Sequence, residues 1–364
     1  MRLLIAGGGT GGHLFPGIAV AEEFLARKKG NEVLFVGTWK GIEARVLPKL
    51  GYRLECITAA GIRGKGNVAR AKGIAKFLYG YAQSRKILKE FKPDMVLGVG
   101  GYASAPALLA ARGMQIPRFI HEQNAIPGFT NKMLAKVAER VFISLEESSD
   151  FFPEARTLLT GNPLRRQILE QVALAPLQER SDDAFHLLVF GGSSGAHRIN
   201  VTMGEALQFL QDMKGRLRVT HQTGENDLED VTAVYEEQGV SADVVPFIDS
   251  MADAYRWADL VVCRAGATTI AEVTACGKPC IFIPYPHAVD DHQRRNAEAL
   301  LKCGAGFVMT EQELSAELLA KAIRELMNDP AQLKAVGEAA QGLARLDAAQ
   351  VIVDEMITIK REMK

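Results

Sequence analysis

The chain predicts an α/β fold: two Rossmann-like domains, each a doubly wound parallel sheet, facing a central cleft. Three observations carry this. Apolar, strand-like runs alternate with helical stretches along most of the sequence, with short loops between them, a pattern that a parallel sheet covered by helices accommodates. An apolar run passes directly into a glycine turn twice, about 185 residues apart, at Leu3-Leu4-Ile5-Ala6-Gly7-Gly8-Gly9-Thr10-Gly11-Gly12-His13 and at Leu187-Leu188-Val189-Phe190-Gly191-Gly192-Ser193-Ser194-Gly195-Ala196-His197. Such turns let bare backbone N–H groups at a helix N-terminus approach an anion closely. Finally, 364 residues exceed one comfortable core, so two domains of roughly 150–180 residues are expected.

The elements follow in order. The first half predicts strands at Leu3–Ala6, Glu32–Val36, Met95–Gly98, Arg118–His121 and Val141–Ile143. Its helices are expected at Phe15–Lys28, Gly41–Leu50, Asn67–Phe91, Ala103–Arg112 and Gly128–Ala138. The stretch Thr160-Gly161-Asn162-Pro163-Leu164 reads as a linker, because Gly, Asn and Pro stop regular structure there. The pattern then restarts, with strands at His186–Phe190, Arg218–Gln222, Asp243–Val245, Leu260–Cys263 and Pro279–Ile283. Helices alternate with them at Ile199–Leu210, Leu228–Gln238, Met251–Ala258, Thr268–Cys276 and Gln293–Lys302. The domains are thus expected at 1–161 and 162–339. A helical tail, Ala339 to Lys364, is expected to pack back across the junction.

Composition is that of an ordinary globular protein, 48% hydrophobic and 24% charged. Five cysteines without a C-x-x-C pair suggest idle reduced thiols in a cytosolic protein. No leader is expected, since the apolar run before the first glycines is only four residues long. The charge-free stretch Met95 to Ala111 is broken by glycines and a proline, so no membrane span is expected. The net charge of zero conceals an asymmetry. Residues 1–166 hold 25 Lys/Arg against 13 Asp/Glu, a net +12, and residues 167–364 hold 18 against 30, a net −12. Between Arg63 and Lys92 nine basic residues, among them Arg63, Lys65, Lys72, Lys76 and Lys86, meet one acid, and Phe77 and Tyr79 lie among them. A basic, aromatic helical stretch attracts an anionic membrane face at ~1 kcal/mol per cation. A nucleic-acid binder is disfavoured because the charge is confined to one segment and the other half is acidic.

Gly7-x-Gly9-x-x-Gly12 matches the dinucleotide fingerprint in form, but that fingerprint needs an acid ending the second strand. The strand ends Phe35-Val36-Gly37-Thr38, which argues against NAD. What remains is a glycine loop ending in His13 at a helix N-terminus, where the helix dipole favours the neutral imidazole and a general base is well placed. A second phosphate-type turn runs through Arg264, Ala265, Gly266, Ala267, Thr268, Thr269, Ile270, Ala271 and Glu272. Its small residues suit a diphosphate, and Glu272, one turn in, suits vicinal ribose hydroxyls. The loop from Pro284 to Asn296 is dense in His, Asp, Gln and Asn, as sugar recognition requires. His287, Asp290, Asp291 and His292 match no standard metal spacing. No D-x-D motif occurs, so a leaving diphosphate is expected to be met by amides, hydroxyls and arginine rather than by a metal. His121-Glu122-Gln123-Asn124 closes a strand, and Gly98 to Ser104 forms a third glycine turn at another strand end.

In this order and combination, GGGTGGH, IRGKG, GVGGYAS, HEQN, TGNPLR, FGGSSGA, FIDSM, CRAGATTIAE and YPHAVDDHQRRNA resemble the MurG group of bacterial glycosyltransferases, in family 28. The resemblance covers nearly the whole chain and implies the GT-B architecture. It implies an inverting transfer of N-acetylglucosamine from UDP-N-acetylglucosamine (UDP-GlcNAc) to the muramoyl 4-hydroxyl of lipid I, undecaprenyl-diphospho-N-acetylmuramoyl-pentapeptide. The product would be lipid II for peptidoglycan synthesis, made without cofactor or bound metal at the cytoplasmic face of the bacterial inner membrane. It also implies that Thr10, Gly11 and Gly12 face the donor sugar and acceptor diphosphate, with Asn124 near the donor sugar. Arg165 and Ser193 would approach the nucleotide diphosphate and Ile248 the uracil, while Ala267 through Glu272 wrap phosphates and ribose. Gln293 would take sugar hydroxyls, or His292 if the register slips by one. His13 is then the expected base and Glu122 its rival, with Arg165 or Arg264 holding the leaving charge. The alternative expectation keeps the fold and changes the reaction, to a glycolipid transferase or a UDP-sugar 2-epimerase.

Overall fold

The structure, a computed structural model, describes residues 1–59, 67–173, 184–192 and 195–363. Its residues fall into two compact units, Met1–Arg166 with Arg345–Lys364, and Gln167–Ala344.

The N-terminal unit is built on a seven-stranded sheet: β1 (Arg2–Ala6), β2 (Glu32–Gly37), β3 (Arg53–Cys56), β4 (Met95–Gly98), β5 (Arg118–Glu122), β6 (Arg140–Ile143) and β7 (Thr157–Leu159). Their order is β3-β2-β1-β4-β5-β6-β7 and every pair is parallel. The strand order reverses between β1 and β4, the position where open α/β sheets bind ligands. Helices α1 (Gly11–Arg27), α2 (Glu43–Lys49), α3 (Asn67–Phe91), α4 (Ser104–Arg112) and α5 (Phe129–Leu134) connect the strands. Leu3, Ile5, Leu14, Ile18 and Phe24 form one buried layer, and Leu4, Val96, Leu108 and Ile120 belong to another. These runs are apolar in succession, as expected of strands buried on both faces.

The C-terminal unit repeats the plan with six parallel strands, β8 (Phe185–Phe190), β9 (Leu217–Gln222), β10 (Ser241–Val245), β11 (Leu260–Cys263), β12 (Cys280–Phe282) and β13 (Phe307–Val308). They lie in the order β10-β9-β8-β11-β12-β13, with the reversal between β8 and β11. Its helices are α6 (Arg166–Ala173), which spans the division between the units, then α7 (His197–Ala206), α8 (Leu228–Gln238), α9 (Met251–Trp257), α10 (Ala267–Ala275), α11 (His292–Lys302), α12 (Ala316–Met327) and α13 (Pro330–Gly342). The last helix, α14 (Ala348–Glu362), belongs to the N-terminal unit. Ile352, Val353 and Met356 join the core beside Phe24. Arg27, Arg140 and Asp94 pin it through Asp354, Glu355 and Lys360 at 2.9, 2.5 and 2.9 Å.

Several expectations need correction. Three edge or near-edge strands, β3, β7 and β13, are additional to those expected, as are α6, α12 and most of α13. The helix expected at Gly128–Ala138 ends at Leu134, and the one expected to reach Leu210 ends at Ala206 and continues as a 3-10 turn. The tail is two helices, interrupted between Gly342 and Ala348. The units divide at Arg166/Gln167 and Ala344/Arg345 rather than at 161/162 and 339/340. The Thr160–Leu164 stretch is buried, and Asn162 accepts a bond from Ser144 at 3.5 Å, so it is packed chain and not a free tether.

Candidate functional site

In the N-terminal unit the loops leaving β1, β4 and β5 meet. The first glycine turn wraps the carboxylate of Glu43, which is 1% exposed. Glu43 Oε2 accepts the Gly9 N–H at 2.7 Å, and Oε1 accepts the N–H and hydroxyl of Thr38 at 2.8 and 3.0 Å. Gly8 lies so close that a Cβ would stand 2.4 Å from the Glu43 carboxyl carbon, and its φ of +132° suits only glycine. The turn's inner face is thus filled by the protein's own anion. Helix α1 then starts at Gly11, with Thr10 making no side-chain cap bond and with no acid in its first turn, a helix end suited to an external anion.

His13 lies half-buried in that first turn. Its ring rests on Gly100, whose φ of +95° and missing Cβ make the room: a Cβ would stand 2.7 Å from Nδ1. Nδ1 faces Gln123 Oε1 at 3.0 Å. Gln123 Nε2 in turn donates to the Val99 carbonyl at 3.0 Å and to His121 Nδ1 at 3.0 Å. His121 Nε2 lies 3.3 Å from the Gly161 carbonyl. Complete burial lowers the His121 pKa to about 4, so this imidazole is neutral.

Glu122, the rival base, is placed differently. Its carboxylate is 1% exposed. Oε1 accepts from the Asn124 backbone N–H at 3.0 Å and Nδ2 at 3.2 Å, and Oε2 from Gly128 N–H at 3.2 Å and Asn131 Nδ2 at 2.9 Å. Four donors occupy the lone-pair directions a carboxylate offers, so Glu122 organises the loop that carries Asn124. Arg165 stacks its guanidinium on Phe15 at 4.7 Å, and Phe15 packs under Gly11, which sets a cation beside the first turn of α1.

In the C-terminal unit, Gln222 ends β9 and spans two loops: Nε2 donates to the Gly192 carbonyl at 2.6 Å and Oε1 accepts from Ile248 N–H at 3.2 Å. Ile248 is buried. Helix α10 opens at Ala267 after Gly266, again without a side-chain cap or a first-turn acid, and Thr268 and Thr269 are half-buried there. Ile270 and Glu272 point inward, Ala271 is half-buried, and Glu272 Oε2 accepts the Tyr255 hydroxyl at 3.2 Å. Asn296 is buried and its Nδ2 donates to the Ala265 carbonyl at 3.2 Å, holding α11 against the turn. Gln293 Oε1 accepts from Tyr285 N–H at 3.0 Å. Asp290 and Asp291 precede α11 with φ of 53° and 54°, a strained pair of the kind found at functional loops.

Arg264 departs from expectation. It is buried, donates to the Ile283 and Pro284 carbonyls at 3.1 and 3.3 Å, pairs with Glu311 and stacks on Tyr285 at 5.3 Å. Both Nη atoms hold protein oxygens, so it braces the Tyr285 loop. Phe77 also departs: it is half-buried, on the face of α3 that carries buried Gly73, Gly80 and Ser84. Lys72, Lys76, Tyr79 and Lys86 lie on the exposed side, where Ile74, Leu78 and Tyr79 are 48%, 61% and 60% accessible. Arg63, Lys65 and Ser193 lie outside the described residues. Among the described residues no cluster of three His, Cys, Asp or Glu side chains suits a metal ion, and no helix is long and apolar enough to cross a membrane.

Comparison with known proteins bears on both units. The glycosyltransferase family 28 N-terminal domain matches residues 3–143, and the family 28 C-terminal domain matches residues 186–352. A protein of Geobacter metallireducens is 88% identical over 364 residues, covering all of both chains, and one of Geobacter sulfurreducens is 85% identical over 362 residues. Both are named UDP-N-acetylglucosamine–N-acetylmuramyl-(pentapeptide) pyrophosphoryl-undecaprenol N-acetylglucosamine transferase. The crystal structure of Acinetobacter baumannii MurG superposes with a TM-score of 0.79 at 33% identity, covering 98% of this chain and 99% of that one. A UDP-GlcNAc 2-epimerase of Neisseria meningitidis superposes at 0.69 with 14% identity over 98% of this chain and 100% of that one, a likeness of fold alone. The architecture is therefore GT-B, two parallel-sheet α/β domains.

Proposed function

The chain belongs to glycosyltransferase family 28, and from that premise we infer that it transfers N-acetylglucosamine from UDP-GlcNAc to the muramoyl 4-hydroxyl of lipid I, forming lipid II. The observation that carries this reading is 88% identity, end to end, to a transferase named for those two substrates.

The residues supply the chemistry as follows. His13 Nε2 takes the proton of the 4-hydroxyl. The freed electron pair forms the bond to the sugar C1 on the face opposite UDP, and the C1–O bond to the diphosphate breaks with its pair on the departing oxygen. One displacement inverts the anomeric centre. The imidazolium then returns its proton to solvent. The C-terminal unit holds the nucleotide. The uncapped start of α10, at Ala267–Thr269, meets the diphosphate, Glu272 takes the ribose hydroxyls, Ile248 flanks the uracil, and Gln293 with the loop before it reads the sugar. Thr10, Gly11 and Gly12 serve the acceptor diphosphate and donor sugar together with Asn124, and Arg165 adds positive charge beside α1. Ser193, by resemblance, belongs with the nucleotide.

The acceptor is a lipid, and the exposed stripe of Lys72, Lys76, Tyr79 and Lys86 on α3 suits an anionic bilayer surface. We place the enzyme at the cytoplasmic face of the inner membrane, bound peripherally. Incubation with UDP-GlcNAc and a lipid I analogue, with and without EDTA, tests the reading by product mass. A disaccharide product of equal yield in both arms is expected. Conversion of UDP-GlcNAc without acceptor would instead indicate an epimerase.

A further inference from the structure

We propose that Gln123 is a positioning residue that fixes the tautomer of His13, holding the proton on Nδ1 and leaving the Nε2 lone pair for the acceptor hydroxyl. The inference deepens, and rests on, the reading of His13 as the base.

Gln123 has one way to sit. Its Nε2 lies 3.0 Å from the Val99 carbonyl and 3.3 Å from the His121 carbonyl, as well as 3.0 Å from His121 Nδ1. Turning the amide over would press its oxygen against two backbone carbonyls and take from Val99 its side-chain donor, a cost of about 1–3 kcal/mol for a buried group left unpaired. The carboxamide oxygen therefore faces His13. A carbonyl oxygen only accepts, so the nitrogen 3.0 Å away, His13 Nδ1, must be the one that carries hydrogen. The far end of the chain is set in the same sense. His121 Nδ1 receives the amide N–H, so its own hydrogen is on Nε2, which faces the carbonyl of Gly161 and the hydroxyl oxygen of Ser144, each at 3.3 Å, while Ser144 gives its hydrogen to Asn162 Oδ1. Because His121 is neutral at ordinary pH, it never donates from Nδ1 against Gln123. A carbonyl stands fixed at each end and the polarity of every bond between them follows.

This arrangement has a consequence for catalysis. In the other tautomer His13 would present an N–H where the hydroxyl must lose its proton, and no base would be available. When Nε2 takes the proton, the positive charge spreads to Nδ1–H and the Gln123 carbonyl meets it. His121 and Gln123, two apart at the end of β5, project to the same side as strand periodicity requires, which places both in the one network.

The test is ¹⁵N NMR of the full chain with labelled histidine, the His13 resonances being identified by their loss in His13→Ala. In the neutral wild type, Nδ1 is expected to show the protonated shift and Nε2 the unprotonated one. In Gln123→Met the population moves to Nε2–H, kcat falls on the order of 10-fold or more, and the KM for UDP-GlcNAc stays within about twofold. Wild-type His13 carrying its proton on Nε2 overturns the proposal outright, whether or not the variant folds. So does a Gln123→Met protein that keeps the Nδ1–H form, or one that changes tautomer and keeps its kcat. Full activity in His13→Ala, with the tautomer as stated, would remove the base reading alone.

Discussion

Replacing Glu43 by Gln separates the two halves of one buried carboxylate. The oxygens of Glu43 face unequal numbers of donors, Oε1 accepting two from Thr38 and Oε2 accepting one from Gly9. Glutamine has one oxygen to offer, and it is expected on the Thr38 side, where two bonds are kept. The NH₂ group then faces the Gly9 N–H, donor against donor. Losing a hydrogen bond to a charged partner costs about 1.5–3 kcal/mol, and 1.36 kcal/mol is a factor of ten. The Gly9 amide should therefore exchange with solvent deuterium roughly 10- to 100-fold faster through local opening of the turn. Thr38 should change much less. The assay is amide-resolved hydrogen exchange on wild type and Glu43→Gln at one pH. Because the opened turn carries Thr10 to Gly12 into α1, transfer activity is expected to fall with it. Equal acceleration at both amides, or none at Gly9, would show that the carboxylate does not hold the turn and would refute the reasoning.

Three further outcomes are expected. Tyr255→Phe removes the 3.2 Å bond to Glu272 and should raise the KM for UDP-GlcNAc roughly 3- to 10-fold, a loss of about 1 kcal/mol, with kcat little changed; an unaltered KM would detach Glu272 from the ribose. Burial lowers His121 to about 4 and His221 to about 3 from 6.5. Above pH 6.5 neither contributes, whereas below it the unfolded chain binds protons that the fold refuses, so stability falls with pH by up to ~1.4 kcal/mol per unit for each until those values are reached. Urea unfolding from pH 7.5 to 5 should show that slope in both units, and a flat profile would count against it. Reversing charge at Lys72, Lys76 and Lys86 should abolish co-sedimentation with anionic vesicles at low salt, and wild-type binding should weaken as salt rises; equal binding by the two proteins would exclude α3 as the contact.

Much of this fold was legible because parallel strands buried on both faces are apolar without interruption. β4 and β11 are found at the expected residues, and β1, β2, β5 and β8 within one residue at either end. The missed strands are the ones that this signal cannot mark. β3 alternates Arg53, Leu54, Glu55 and Cys56 at the sheet edge, where charge protects an open hydrogen-bonding row. β13 is two residues long and also an edge. Glycine turns were legible for the same local reason, since apolar strand, glycines and helix are contiguous. Glu43 was not, because it lies 34 residues from the Gly9 it holds and looks like any helix-start acid. Gln123 sat inside a recognised motif, but beyond the expected strand end at His121. Its contact with His13, 110 residues away, needed the fold.

The acids beside these loops also explain why composition alone misassigns them. Glu122 and Glu43 are both buried beside loops whose residues were expected to meet the substrates, and a bare carboxylate there would repel a diphosphate. Each is instead consumed by donors of its own loop, four on Glu122 and three on Glu43. A carboxylate so satisfied has its lone-pair directions committed to its own loop. The same logic, with the sign reversed, applies to Arg264, whose charge is shared with Glu311 and two carbonyls. The first turns of α1 and α10 carry no acid of their own, and neither N-cap residue makes a side-chain cap bond. Charge near a site is therefore a poor guide to its partner, and the count of donors already spent on that charge is the better one.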